Sequence, residues 1–454
     1  MSNNKKSPYK SINTPICDFL DSYTAAGTIR LHMPGHKGKG DAESSDITEI
    51  YGADSLYEAN GIIAESEKNA GEIFGAHTFY SCEGSSLSIR AMLRLICIYA
   101  YEKNEKPTVL AARNVHKSFI SAVALQNIDV NWIVPNSQEN YLTCKLNSQD
   151  VINHFSSLEK LPTALYLTSP DYLGNVTDIK GIAEVCHKYG VLLIVDNAHG
   201  AYLKFLDKSI HPIDLGADMC ADSAHKTLNA LTGAGYLHVS KHAPEIFSQK
   251  AKDALALFGS TSPSYLILQS LDKLNPYLKE EYQSNLSAFC DKLHTIKSAL
   301  ESSGYVFLGD EPLKFTIDAK KYGYYGIELA QILRKENIET EFADKDYLTA
   351  MFTPQISDEE LEKVKNVLMS IPQKEPIIDL SPHFHLPKVA MPVYEAYRKP
   401  SEAVALREAI GRTVAETNEG CPPAVPIIVA GEIIDENAVK TLEYYGKSEI
   451  SVIK

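Results

Sequence analysis

Residues 221–239 read ADSAHKTLNALTGAGYLHV, with Ser223, His225 and Lys226 side by side ahead of an apolar run broken by Gly233 and Gly235. A lysine amine among hydroxyl and imidazole groups can hold a carbonyl compound covalently, or it can be an ordinary turn lysine. Three other stretches bear on the choice. VLLIVDNAHGAY (191–202) ends a continuous apolar run on Asp196, followed by Ala198 and His199. Ligands of open α/β sheets bind at carboxyl ends of strands. A carboxylate there can keep a proton on a ligand nitrogen, and a small alanine lets a flat ring lie close. CEGSSLSIRAML (82–93) is a glycine turn, then serines, then a helix. Its first N–H groups, the helix dipole and the hydroxyls of Ser85 and Ser86 suit an anion such as phosphate, though serines also cap helices with no ligand. RNVHKSF (113–119) sets His116 just past a strand, where its ring could stack on a planar ligand.

Other chemistries fit poorly. Neither G-x-G-x-x-G nor G-x-x-x-x-G-K-[ST] stands at the serine turn, which removes dinucleotide and Walker-type sites. His32 and His36 have the spacing of a helical zinc pair, but Pro34 and Gly35 lie between them and oppose a helix. HFH (383–385) has no cysteine or acidic residue at metal-ligand spacing. A phosphate cup, a stacking ring, a carboxylate at a strand end and a lysine are together what one cofactor requires, pyridoxal 5'-phosphate. The lysine forms a Schiff base with it, and the carboxylate keeps the pyridine nitrogen protonated so that the ring acts as an electron sink.

These residues need a scaffold, and the chain supplies a regular one. From about residue 60 to 240, apolar runs TVLAA (108–112), VNWIVP (130–135), TALYLTSP (163–170), VLLIVDNAH (191–199) and AGYLHVS (234–240) alternate with helical stretches such as 61–75, 86–104 and 178–190. That alternation predicts an α/β domain with a mostly parallel sheet flanked by helices. The expected division is an N-terminal segment at 1–60, a large α/β domain at 61–303, and a smaller α+β region at 304–454 with a sub-boundary near 375–400. SEAVALREAIGRTVAE (401–416) reads as a helix and PIIVAGEII (426–434) as a strand. The 454 residues are 44% hydrophobic and 22% charged, an ordinary globular balance. No apolar run approaches membrane-spanning length, and MSNNKKSPYK has no secretory h-region. The eight cysteines are scattered without a C-x-x-C pair, as in a reduced cytoplasmic protein. A net charge of -14 argues against nucleic acid as a partner.

The chain resembles the Orn/Lys/Arg decarboxylases, a fold-type I (aspartate-aminotransferase-like) family of pyridoxal-phosphate enzymes. The resemblance is carried by LHMPGHKG (31–38), EGSSLS, RNVHKS, SPDYLGNVTDI (169–179), VDNAHGAYL, DSAHKTLNALTGAGYLHV and GSTSPSYLILQSLD (259–272). It implies the fold-type I transferase fold and decarboxylation of a basic amino acid, arginine first, then lysine or ornithine. It also implies a polyamine-type role and a homodimer or dimer of dimers. Residue by residue, it makes Lys226 the cofactor lysine, Asp196 the partner of the pyridine nitrogen, His116 the stacking ring and Ala198 the packing on the opposite face. Ser85, Ser86, Ser223 and His225 would hold the phosphate, with Thr261 and Ser262 reaching it from the neighbouring subunit. His225 or Lys226 would return the proton to substrate, the sequence not choosing between them. Glu432 is the expected carboxylate for the cationic end of the substrate.

Departures from the family pattern are Asn197 in the D-x-A-H stretch and Cys421-Pro422-Pro423-Ala424 where Tyr-Pro-Pro-Gly is usual. With MPGHKG beginning near residue 32, neither a receiver-like wing domain ahead of it nor the large rings associated with that wing are expected. Aminotransferase or aldolase chemistry, or a non-catalytic cofactor-binding protein, are the alternatives on the same fold.

Overall fold

The computed structural model describes residues 12–135, 140–379, 381–417, 420 and 422–454. The N-terminal MSNNKKSPYK and Cys421 lie outside them. Strands β1 (His77–Ser81), β2 (Thr108–Ala112), β3 (Asp129–Ile133), β4 (Ala164–Thr168), β5 (Leu192–Asp196), β6 (Met219–Asp222) and β7 (Gly235–Val239) form one sheet. Their order is β1-β7-β6-β5-β4-β2-β3. β3, β2, β4, β5 and β6 run parallel, and β7 is antiparallel to both β6 and β1. Every residue of β5, β6 and β7 is buried, which explains the largely apolar runs of β5 and β7.

Helices α1 (Pro15–Ala25) and α2 (Ile62–Phe74) precede the sheet. α3 (Gly84–Glu102), α4 (Lys117–Gln126), α5 (Ser148–Ser157), α6 (Ile179–Tyr189), the single turn α7 (Ala224–Thr227) and α8 (Glu245–Ala256) are threaded through it. Alternate strand residues separate the two faces. Val109, Ala111, Tyr166 and Ile194 pack with α3, α4 and α8, whereas Leu110, Leu165, Leu193 and Val195 pack with α5 and α6. β1 and β6, HTFYS and MCAD, are too short and polar for their sequences to announce them. The sheet places them.

Long helices α9 (Tyr265–Glu280) and α10 (Tyr282–Ser302) lead to a second sheet. It consists of β8 (Phe307–Leu308), β9 (Lys314–Asp318), β10 (Phe342–Ala343) and β11 (Tyr347–Met351), ordered β10-β11-β9-β8 and wholly antiparallel. α11 (Gly326–Lys335) and α12 (Asp358–Ser370) accompany it, followed by the short α13 (Val393–Ala396).

The C-terminal stretch corrects two expectations. Residues 401–416 are not a helix: β12 (Ser401–Ala405) pairs antiparallel with β13 (Glu449–Ile453), and a 3-10 turn follows at Leu406–Ala409. The Ala- and Glu-rich sequence favours helix locally, but pairing with a strand almost fifty residues away outweighs that preference. Residues 426–434 form turns with isolated bridges rather than a strand. Gly431 takes a positive φ of 89° there, and a Cβ would lie 2.2 Å from the Met391 carbonyl oxygen. Their apolar side chains are buried because this segment fills space beneath α14 (Glu436–Tyr444). Among the described residues no helix is long and apolar enough to cross a membrane.

Candidate active site

The carboxyl ends of β2, β4, β5 and β6, with the start of α3, open onto one cavity of about 820 Å³. Its wall includes Ser85, Ser86, His116, Asp196, Ala198, Ser223, His225 and Lys226, eight residues gathered from four separate stretches of sequence.

The lysine turn is built by glycine. β6 ends at Asp222, α7 makes a single turn, and the chain returns along β7. The His225 N–H donates to the Ala234 carbonyl at 3.2 Å, and the Gly84 N–H to the Gly233 carbonyl at 2.7 Å. A Cβ on Gly235 would lie 2.8 Å from the Gly84 carbonyl carbon. Only a bare backbone lets β7 press against the start of α3 and bring the serine turn to the lysine turn. There the Ser223 hydroxyl donates to Ser85 Oγ at 2.9 Å and accepts from the Ser85 N–H at 3.3 Å. The Ser118 hydroxyl donates to Ser86 Oγ at 2.8 Å. Four hydroxyls therefore converge at the positive end of a 19-residue helix.

Asp196 is 2% exposed. Its carboxylate accepts from the Ala198 N–H at 3.1 Å and the Tyr166 hydroxyl at 3.2 Å. Burial pushes this carboxyl up, against the opposing pull of the Ala198 N–H, so a cationic partner in the cavity is what would restore its charge. Asp222, one strand over, is the opposite case. Burial alone would raise it, yet His211 and His238 hold it well below the usual carboxylate range. Asp222 also accepts from the Asn197 amide at 2.7 Å, which gives the Asn197 departure a physical role in fixing the turn after Asp196.

His116 caps α4 by accepting from the Ser118 N–H at 3.1 Å. Burial lowers its imidazole to about 3. The ring is therefore neutral and suited to stacking. The His225 Nδ1 faces the Ala234 carbonyl at 2.9 Å. Burial keeps that ring below the usual imidazole range, with the Ala234 contact opposing. A neutral His225 donates Nδ1–H to that carbonyl and keeps a lone pair on Nε2. It is better arranged to take a proton than to donate to an anion.

Three expected residues lie elsewhere. Thr261 and Ser262 are exposed and outside the cavity wall. Glu432 is 1% exposed and paired with Arg113 at 2.9 Å, while also accepting from the Val429 N–H at 2.7 Å. Its carboxylate is committed to holding the C-terminal segment to the strand end after β2, so the substrate role expected for it is corrected. Glu432→Gln leaves the Arg113 guanidinium buried without its counter-charge. A stability loss of about 3–5 kcal/mol in urea unfolding, with substrate KM unchanged, is the expected result.

Among the described residues, two carboxylates besides Asp196 line the cavity. Glu83, ahead of α3, accepts from the Ser260 N–H at 2.8 Å. Glu341, exposed at the cavity edge from the stretch just before β10, accepts from the Tyr172 hydroxyl at 3.1 Å and is the one the sequence did not point to. Sequence reasoning missed it because IETEF carries no local signal. It also left His199 without a role, although that residue lies between two lysines. Asn114 and Thr168 were missed as well. Both line the cavity, and Asn114 Oδ1 and Thr168 Oγ1 are buried with no hydrogen-bond partner among the described residues. Such atoms are costly unless a polar ligand meets them.

Residues 14–311 match the Orn/Lys/Arg decarboxylase major domain, and residues 381–450 match the C-terminal domain of the same family. The chain belongs to the Orn/Lys/Arg decarboxylase family. The chain is similar to the arginine decarboxylase of Bacillus subtilis (strain 168), with 29% identity over 94% of this chain and 92% of that one. Similarity to the arginine decarboxylase of Halalkalibacterium halodurans is 28% identity over 93% and 91%. Lysine decarboxylase A from Pseudomonas aeruginosa shares the fold, with a TM-score of 0.80, 18% identity, and coverage of 97% of this chain and 80% of that chain.

This family member is a pyridoxal-phosphate-dependent decarboxylase, and its cavity fits the cofactor. It offers an amine, a buried carboxylate at a strand end, a hydroxyl cluster at a helix start, a neutral ring and two unpartnered polar atoms.

Proposed function

We propose that this enzyme decarboxylates arginine in preference to lysine or ornithine, releasing CO2 and the corresponding amine for polyamine-type metabolism in the cytoplasm. The observation that carries this reading is that Lys226, Asp196 and Glu341 share one cavity. That places an amine, a proton-holding carboxylate and an acceptor for a distal cation along a single space. The similarity to proteins named arginine decarboxylase supports the choice among basic substrates.

Bound pyridoxal phosphate supplies the sink for the electron pair left when the α-carboxylate departs as CO2. The remaining work belongs to the chain. Lys226 is the attachment point. Asp196 keeps a proton on the ring nitrogen. His116 and Ala198 define the slot for a flat ring. Ser85, Ser86 and Ser223, with His225 beside them, hold the phosphate at the start of α3. His225 Nε2 and the Lys226 amine are the groups positioned to move the proton returned to the product. Thr261 and Ser262, displayed on the surface ahead of α9, reach the phosphate of a second subunit in a homodimer. Pro422, Pro423 and Val425 close the cavity from the C-terminal region.

Purified protein incubated with arginine, lysine and ornithine, with CO2 release measured, tests the reaction and ranks the substrates. Failure to release CO2 from any of the three would defeat the proposal. Glu341→Gln removes the charge offered to the distal cation while keeping the side-chain shape. KM for the preferred substrate is expected to rise about tenfold, corresponding to about 1.4 kcal/mol, with a smaller change in kcat. An unchanged KM would remove Glu341 from the substrate site.

A further inference from the structure

His199 follows Asp196 by three residues and is 7% exposed. Its Nε2 is 2.9 Å from Lys226 Nζ, and its Nδ1 is 3.0 Å from Lys314 Nζ. Lys314 opens β9 in the second sheet, so two distant parts of the chain meet on one imidazole. The Lys314 ammonium is itself tied down. It lies 2.8 Å from the Glu311 carboxylate and donates to the Asp171 carbonyl at 3.2 Å, with both charged side chains almost wholly buried. Burial pushes the His199 imidazole well below its ordinary range, and the ring is neutral.

A neutral imidazole has one N–H and one lone-pair nitrogen, whereas an ammonium only donates. Facing the ion-paired Lys314, Nδ1 must therefore accept, and the ring proton resides on Nε2. That proton points at Lys226 Nζ, where only the lone pair of an uncharged amine can receive it. An uncharged amine is also the form that attacks a carbonyl.

We propose that Lys314, anchored by Glu311 and the Asp171 carbonyl, is a positioning residue that fixes His199 as the Nε2–H tautomer and thereby presents Lys226 to the cofactor as an uncharged amine. The proposal rests on Lys226 being the attachment point. It makes the seating of the second sheet against the large domain a condition for rapid cofactor capture.

The test uses full-length protein carrying 15N-labelled histidine, stripped of cofactor and then refilled. His199→Asn identifies the His199 resonances among those of the 14 histidines. In the parent protein, NMR should show a protonated Nε2 and an unprotonated Nδ1. Lys314→Met removes the donor but leaves Glu311 buried without a counter-charge, which could unfold the protein. The double variant Glu311→Gln/Lys314→Met removes the whole pair and covers that case. Without the Lys314 donor the proton should move to Nδ1 or be shared, and cofactor capture, followed by absorbance, should slow at least tenfold. Lys314→Arg should keep the tautomer and capture within a few-fold of the parent. A His199 that stays Nε2–H in the double variant would show that Lys314 does not direct it. An altered tautomer with unchanged capture would overturn the consequence for Lys226. Both outcomes differ from failure of the underlying reading, which would appear as covalent cofactor in Lys226→Ala.

Discussion

Lys226→Ala protein is expected to be unable to retain pyridoxal phosphate covalently, and borohydride treatment should leave no cofactor on the peptide spanning residues 221–239. In the parent protein that peptide should carry it. The reason is positional as much as chemical. Lys226 sits in a one-turn helix whose backbone is pinned by its own N–H to the Ser223 carbonyl at 3.1 Å and by His225 to Ala234. Its amine extends into the cavity toward His199. Lys314, the other lysine bonded to His199, is paired with Glu311 and is outside the cavity wall. Loss of the attachment point should lower turnover by roughly four decades, about 5.5 kcal/mol of barrier. Reducible cofactor that persists on the Lys226→Ala chain would transfer the role to a different amine.

Asp196→Ala should keep its fold and still take up cofactor while losing on the order of three decades in kcat, about 4 kcal/mol. This carboxylate is buried at the end of a wholly buried strand and held by Tyr166 and the Ala198 N–H. Its charge is therefore fixed in place and poorly screened by water. A ring nitrogen deprived of it loses its proton and with it most of the electron-withdrawing power needed as CO2 leaves. Asp196→Glu, which keeps the charge but lengthens the side chain, should recover only part of the rate because the strand end leaves little room. Turnover in Asp196→Ala close to that of the parent protein would mean that the nitrogen is protonated by another group.

Ala424 illustrates how a departure in sequence becomes intelligible only in three dimensions. Where its family usually has glycine, this residue adopts φ 55°, a left-handed conformation that costs an L-residue roughly 1 kcal/mol. Its carbonyl accepts from the Lys117 N–H at 2.8 Å, next to the His116 cap. The strained turn is thus retained because it ties the C-terminal segment to the cavity wall.

The sequence by itself determined the α/β alternation, because buried parallel strands must be continuously apolar and the helices between them must carry one apolar face. It also brought forward Ser85, Asp196 and Lys226, which line one cavity, because strand, turn and helix signals lie within a few residues of each of them. It had no means of choosing between Glu432 and Glu341. Both are glutamates near apolar stretches, and the difference is that Arg113, more than three hundred residues from Glu432 in sequence, neutralises one of them in the core. Residues 401–416 show the same limit, since the strand that captures 401–405 lies at 449–453. His199 and Lys314 belong to this class as well. Their contact joins the end of β5 to the start of β9, and a lone lysine in EPLKFTID bears no mark of the imidazole it meets. Periodicity records which face of an element is buried, whereas the identity of a buried charge's partner is decided only when distant elements pack and leave that charge no water to turn to.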